Sequence, residues 1–154
     1  MARRELEAAG AGRNDGGDRT YDYNVLPVVE AGRVVVVDMD HAVYDEVRLE
    51  PTPGHTPGHV AIRIRSSGQE AVFSGDLMHW PMQCIYPDWR FRGDSDPDLA
   101  RRTRWAFLES CAENRRIVIT SHFPLPSLGT ITRRQASFWF EDYPSLPPTK
   151  HGVS

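Results

Sequence analysis

A layered α/β fold is what this sequence predicts, and three observations predict it. β-branched or alternating apolar runs recur at 33–38, 45–50, 59–65, 70–74 and 117–120, the pattern of buried and half-buried strands. One long amphipathic stretch opening at Ser95-Asp96-Pro97 separates the last two runs, as a helix does between strands of one sheet. Polar residues able to carry chemistry, His55, Asp76 and His122, stand shortly after three of these runs. Loops at strand ends on one edge of such a fold can converge into a site.

Residues 1–20 are expected to be poorly ordered. Gly10, Gly12, Gly16 and Gly17 interleave there with Arg, Asn and Asp, leaving little to bury. A short helix is expected over 22–31, with Val25, Leu26, Val28 and Val29 as its apolar side, Pro27 in its first turn and Gly32 as its stop. The continuous valine run 33–38 reads as a strand buried on both faces. Segment 45–50 alternates Val47 and Leu49 with charged neighbours, a half-buried strand that leads into Pro51-Thr52-Pro53-Gly54-His55-Thr56-Pro57-Gly58-His59. Strands 59–65 and 70–74 flank Ser66-Ser67-Gly68-Gln69, a hairpin turn.

The loop 77–94 is long and rich in Trp, Met, Tyr and Pro, and loops of that length are often functional. A helix follows from Asp96 to about Asn114, with a capping side chain and proline in its first turn. Leu99, Thr103, Ala106, Phe107, Ser110 and Cys111 mark its buried face, whereas Arg101, Arg102 and Arg104, with Arg115 and Arg116, read as solvated. Residues 117–120 form a short strand ending on Ser121-His122, and 137–141 form a last strand. One domain over 21–142 is expected, with a loose tail over 143–154.

Bulk properties narrow the function. The chain of 154 residues is 40% hydrophobic and 25% charged with a net charge of −3, and no run of one sign marks a nucleic-acid partner. No apolar stretch is long enough to span a membrane, and no apolar segment follows Met1-Ala2-Arg3-Arg4 as a secretory signal would. Cys84 and Cys111 are isolated thiols that fit a reducing compartment as packing residues, a disulfide being the alternative. Cytoplasm is the expected location.

His55 and His59 stand four positions apart, but Pro53 and Pro57 disfavour helix and Gly54 and Gly58 permit tight turns. The segment is therefore a rigid loop that aims imidazoles. His55, Asp76 and His122 are residue types that bind a borderline divalent ion, and a carboxylate can bridge two ions. Spacing leaves a plainer reading open for each, since loop histidines are often surface residues and an Asp after Ser-Gly is often a turn residue.

The series Thr52-Pro53-Gly54-His55-Thr56-Pro57-Gly58-His59, then Phe73-Ser74-Gly75-Asp76, then Thr120-Ser121-His122 resembles the C-terminal half of the metallo-β-lactamase-fold hydrolase superfamily. The stretch Gly75-Asp76-Leu77-Met78-His79 is similar to its lactonase-like and methyl-parathion-hydrolase-like branch. The resemblance implies an αββα sandwich of which this chain covers about the C-terminal half. It implies that His55, Asp76 and His122 are metal ligands, with Asp76 the catalytic carboxylate bridging two ions, and that His59 supports the loop. The cofactor would be Zn²⁺, two ions in a complete site, with Mn²⁺ or Fe²⁺ as alternatives. A bridging hydroxide would then attack an ester, lactone, amide or phosphoester of a small-molecule substrate. Trp80, Met82, Tyr86, Trp89 and Phe91 would wall the substrate, or else simply cover the sheet and helix. His79, Trp80 and Trp89 are the substrate-contact candidates.

The pattern also requires His-x-His-x-Asp-His upstream, and that motif is absent here. Its one echo, Asp38-Met39-Asp40-His41, has Val36 and Asp38 where two histidines should stand, and reads as a turn. The chain is therefore expected to be the second half of a longer protein, weakly active or inactive alone, with one sheet face uncovered. The alternative is a non-catalytic or partner-completed domain that binds another chain, whether the missing half or a second copy.

Overall fold

The computed structural model describes residues 1–11, 19 and 21–143. The expected loose tail lies mostly outside these residues. Helix α1 spans Arg3–Ala11, and a wide helical turn at Tyr21–Val25 runs into α2, Leu26–Glu30. The strands are β1 Val47–Pro51, β2 Val60–Ser66, β3 Gln69–Phe73, β4 Ile117–Ile119, β5 Leu128–Arg134 and β6 Ser137–Asp142. Between β3 and β4 lie a single turn Gly75–Leu77, the short α3 Met82–Ile85, and the long α4 Pro97–Glu113. Among the described residues no helix is long and apolar enough to cross a membrane.

The six strands form one mixed sheet in sequence order. All neighbours are antiparallel except β3 and β4, which α4 connects in parallel. The β2–β3 turn carries Ser67 at φ 50° and Gly68 at φ 75°, the paired positive dihedrals that match strand twist. Strand direction positions the site: β1, β3 and β4 run the same way. The loops bearing His55, Asp76 and His122 therefore leave the same edge.

Register separates the two faces. Ala61, Val72, Val118, Ile131 and Phe138 fall on one face, fully or nearly buried, and meet Phe107, Leu108 and Cys111 of α4. On the other face Ile62, Phe73 and Trp139 remain 40%, 39% and 40% exposed. Cys84 and Cys111 are free, buried thiols in that packed core, and burial pushes both up to about 12.

Several expectations are corrected. The N-terminus is not wholly irregular: α1 forms, Arg3 N–H donates to Val37 O (2.8 Å), and Ala2 is buried beside Val37. The valine run 33–38 forms no strand beyond that bridge, and Val35 is 75% exposed. A β-branched run becomes a buried strand only where neighbours pair with it. Val28 of α2 is likewise exposed, and α2 buries no residue. The face of α4 is rotated, so that Ala100, Arg104, Phe107, Leu108 and Cys111 are buried and Ala106 is exposed.

Arg104 and Arg116 are not solvated; they are 1% and 4% exposed. Arg116 is buried against Glu50 (2.7 Å) and Glu70 (2.5 Å), and Arg63 lies between the same two carboxylates. Burial opposes its charge, but Glu50 and Glu70 hold its pKa above the ordinary value. Strand β5 forms where no alternating apolar run marks the sequence.

Candidate metal centre

The proline-glycine loop is held from both sides. On one side Thr103 Oγ1 of α4 donates to Pro53 O (2.8 Å), Asp96 N–H to Gly54 O (2.9 Å) and Ser95 N–H to His55 O (3.0 Å). Gly54 is required there: its φ is +134°, and a Cβ would lie 2.3 Å from Ala100 Cα. On the other side the Glu5 carboxylate of α1 accepts from Thr56 Oγ1 (2.6 Å) and Gly58 N–H (3.1 Å). The loop's carbonyls and donors are thus bonded rather than free to rearrange.

Asp76 enters through the turn after β3, where Gly75 takes a positive φ of 55°. Ser74 N–H donates to Ile119 O (2.9 Å), tying the ends of β3 and β4 together. Asp76 N–H donates to His59 Nε2 (2.9 Å). That nitrogen must be bare, so the ring's proton sits on Nδ1 and is donated to Thr52 O (3.0 Å), with Thr52 Oγ1 also at 2.8 Å. His59 therefore spans from the start of its own loop to the backbone of Asp76. Burial is the main cause that lowers its pKa.

The two carboxylate oxygens of Asp76 face different imidazoles. Oδ1 accepts from His122 Nε2 at 3.0 Å, and Oδ2 lies 3.6 Å from His55 Nε2. The ligand atoms that come together are not the expected set: one each from His55, Asp76 and His79 lies within 4.8 Å of the others, and His122 reaches this group through Asp76 Oδ1. The His79 ring stacks on Phe91 (3.6 Å between centroids) and on His122 (4.6 Å). Burial, then the neighbouring His122 and His55, push its pKa down to about 4, leaving a neutral imidazole at neutral pH. Its Nδ1 is a buried nitrogen without a hydrogen-bond partner.

His55 has a partner that sequence reading did not find. Its Nδ1 lies 3.2 Å from Asp94 Oδ1, within hydrogen-bonding reach. Asp94 is 39 positions away in a loop, and a carboxylate there carries no distinctive spacing. The indole candidates fall outside the cluster. Trp80 and Trp89 are 62% and 54% exposed, on a hollow of about 290 Å³ shared with Met82, Gln83, Arg90 and Phe91. Trp89 stacks on Tyr86, whereas the Phe91 ring packs against His55 and His79 and Gln83 Oε1 accepts from His79 N–H (2.7 Å). His41 stands in an exposed turn, with its N–H on Asp38 O (3.3 Å).

No family model matches the chain, and no curated protein does. Solved structures do. AidC, a dizinc quorum-quenching lactonase in complex with a product, superposes with a TM-score of 0.79 at 24% identity, over 96% of this chain and 55% of that one. The hydrolase AbOPH of the β-lactamase superfamily gives 0.73 at 24% identity, over 80% of this chain and 43% of its own. A probable metal-dependent hydrolase from Staphylococcus aureus gives 0.62 at 16% identity, over 73% and 42%. These superpositions show the fold alone, and it is the metallo-β-lactamase fold. The chain spans about half the length of the solved structures it matches.

Proposed function

We propose that this chain carries part of a metal-dependent hydrolase centre, with His55, Asp76 and His122 as cation ligands and Asp76 shared between two ions. One observation carries the reading: the Asp76 oxygens divide between two imidazoles, Oδ1 toward His122 and Oδ2 toward His55. A carboxylate that serves two cations needs that disposition. The donor set fits Zn²⁺, with Mn²⁺ or Fe²⁺ compatible. A bound cation would supply Lewis acidity and an activated water for hydrolysis of an ester, lactone, amide or phosphoester.

The remaining roles belong to the chain's own groups. His59 holds the Asp76 backbone through its bare Nε2, so that the carboxylate is presented rather than mobile. His79, a neutral imidazole at neutral pH, brings one ring nitrogen to the same space, suited to a substrate oxygen or to a further cation contact. Phe91, with Trp80 and Trp89 further out, forms an apolar wall for a small molecule. AidC, described as a lactonase, makes a lactone the first substrate to try.

A second reading is supported by the half-exposed Ile62, Phe73 and Trp139 on the face of the sheet away from α4. In it the domain is completed by another polypeptide layer and is non-catalytic or weakly active alone. Zinc titration calorimetry of the chain and of D76N and H122A separates these from a site with no cation. Loss of binding in both variants supports the ligand roles; unchanged binding in D76N refutes them. Lactone turnover by the zinc-loaded chain alone would refute the second reading.

A further inference from the structure

We infer that Asp94 is the positioning residue for His55, and that Arg104 fixes Asp94, so that one buried guanidinium couples the aromatic loop to the cation-facing imidazole. The inference rests on the proposed role of His55, but its central claim is a tautomer, which can be measured without any cation.

The Asp94 side chain is 2% exposed. Its Oδ1 accepts from His55 Nδ1 (3.2 Å), its Oδ2 accepts from Phe91 N–H (3.3 Å), and Arg104 Nη2 stands 3.7 Å from Oδ2. An ionised carboxylate only accepts hydrogen bonds, and a neutral imidazole has a single N–H. In the neutral ring the proton therefore sits on Nδ1, leaving Nε2 bare. That bare nitrogen faces Asp76 Oδ2 at 3.6 Å. Two electron-rich atoms held opposite each other need positive charge between them, and this is the arrangement that receives a cation. A carboxylate behind a metal-binding histidine fixes the ring in this way and raises its basicity.

Arg104 supplies the rest. Its Nε donates to Leu77 O (3.1 Å), and its Nη1 donates to Pro87 O (2.9 Å) and Trp89 O (2.7 Å). Those carbonyls come from both arms of the segment linking Asp76 to Asp94. The guanidinium's rigid fork of donors can reach them and Asp94 together, which a lysine ammonium could not. Phe91 is drawn into the same unit, since its N–H is on Asp94 and its ring is on His79. Loop shape and imidazole tautomer are then set by one side chain on α4.

The test is long-range ¹H–¹⁵N correlation spectroscopy on metal-free, histidine-labelled protein at a pH above the ordinary histidine pKa of about 6.5. His55 is assigned by the signals missing in H55Q. Native protein and D94E, which keeps the carboxylate, should show the Nδ1–H form. D94N, whose amide can donate to Nδ1, should move His55 toward Nε2–H, as the Asp-to-Asn change does in a serine protease triad. Its circular dichroism should be unchanged, while Co²⁺ affinity by titration should fall about 10–100-fold. An Nε2–H form of His55 in the native protein overturns the inference, and that measurement needs no variant. An unchanged tautomer in folded D94N overturns it too. A native protein that shows the expected tautomers but binds no Co²⁺ overturns the cation reading and leaves Asp94 as the residue that positions His55.

Discussion

Replacing Arg104 with methionine removes the guanidinium while nearly conserving volume, and its cost can be worked from the structure. Arg104 is 1% exposed, donates to three carbonyls and stands beside the Asp94 carboxylate. In R104M the carboxylate stays buried without a positive neighbour, and the carbonyls of Leu77, Pro87 and Trp89 lose their charged donor. Removing one partner of a buried ion pair costs about 3–5 kcal/mol. The lost hydrogen bonds are part of that figure rather than an addition to it, because the arginine's own desolvation penalty disappears with it. For a chain of 154 residues this is a fall in Tm of about 6–20 °C. Urea titrations followed by tryptophan fluorescence and by circular dichroism would measure it, Trp89 reporting on the loop and the helix signal on α4. A double variant with Asp94 changed to leucine should recover part of the loss, since no buried charge then remains. A cost under about 1 kcal/mol for R104M would refute the argument, because the guanidinium would then contribute no more than a surface cation.

Two further outcomes follow from the same loop. G54A would drive a methyl to 2.3 Å from the Ala100 backbone at a φ of +134°, so a loss on the order of 2–4 kcal/mol is expected; an unshifted urea midpoint would show that the His55 loop does not pack on α4. In metal-free protein, stability should fall as pH drops from about 6.5 toward about 4. The folded-state pKa values of His79 (about 4) and His59 lie below the ordinary 6.5, so in that window the unfolded chain binds more protons and acid favours unfolding. Thermal melts across the window check this, and a Tm that is flat or rises on acidification would refute it.

Much of the fold was legible because it is written in local pattern. The hairpin at Ser67-Gly68 and the start of α4 at Asp96-Pro97 depend on backbone preferences within a few residues, and both appear as read, with Asp96 Oδ1 accepting from Leu99 N–H (2.9 Å). The errors fall where a pattern needs a distant partner. The valine run 33–38 is the most strand-like segment in the sequence, yet its one β-bridge is that of Val37 to Ala2. Strand β5 alternates Thr130, Ile131 and Thr132, but Pro124, Pro126 and Gly129 around it read as loop. Helix α1 was hidden by averaging its sequence with the glycines after it.

The candidate site divides in the same way. The order of His55, Asp76 and His122, each in a loop after a strand, was set by the sequence itself, and the shared direction of β1, β3 and β4 explains why that order suffices to bring them to one edge. The proline and glycine positions likewise determined that the His55 segment is a fixed loop. Tertiary structure alone decided that Asp94 stands behind His55, that Arg104 is buried rather than solvated, and that His79 stacks between Phe91 and His122. Charge and residue type state what a side chain can bond to. Its burial and partner depend on chain segments tens of residues away, and only the packed sheet and α4 bring those within hydrogen-bonding reach.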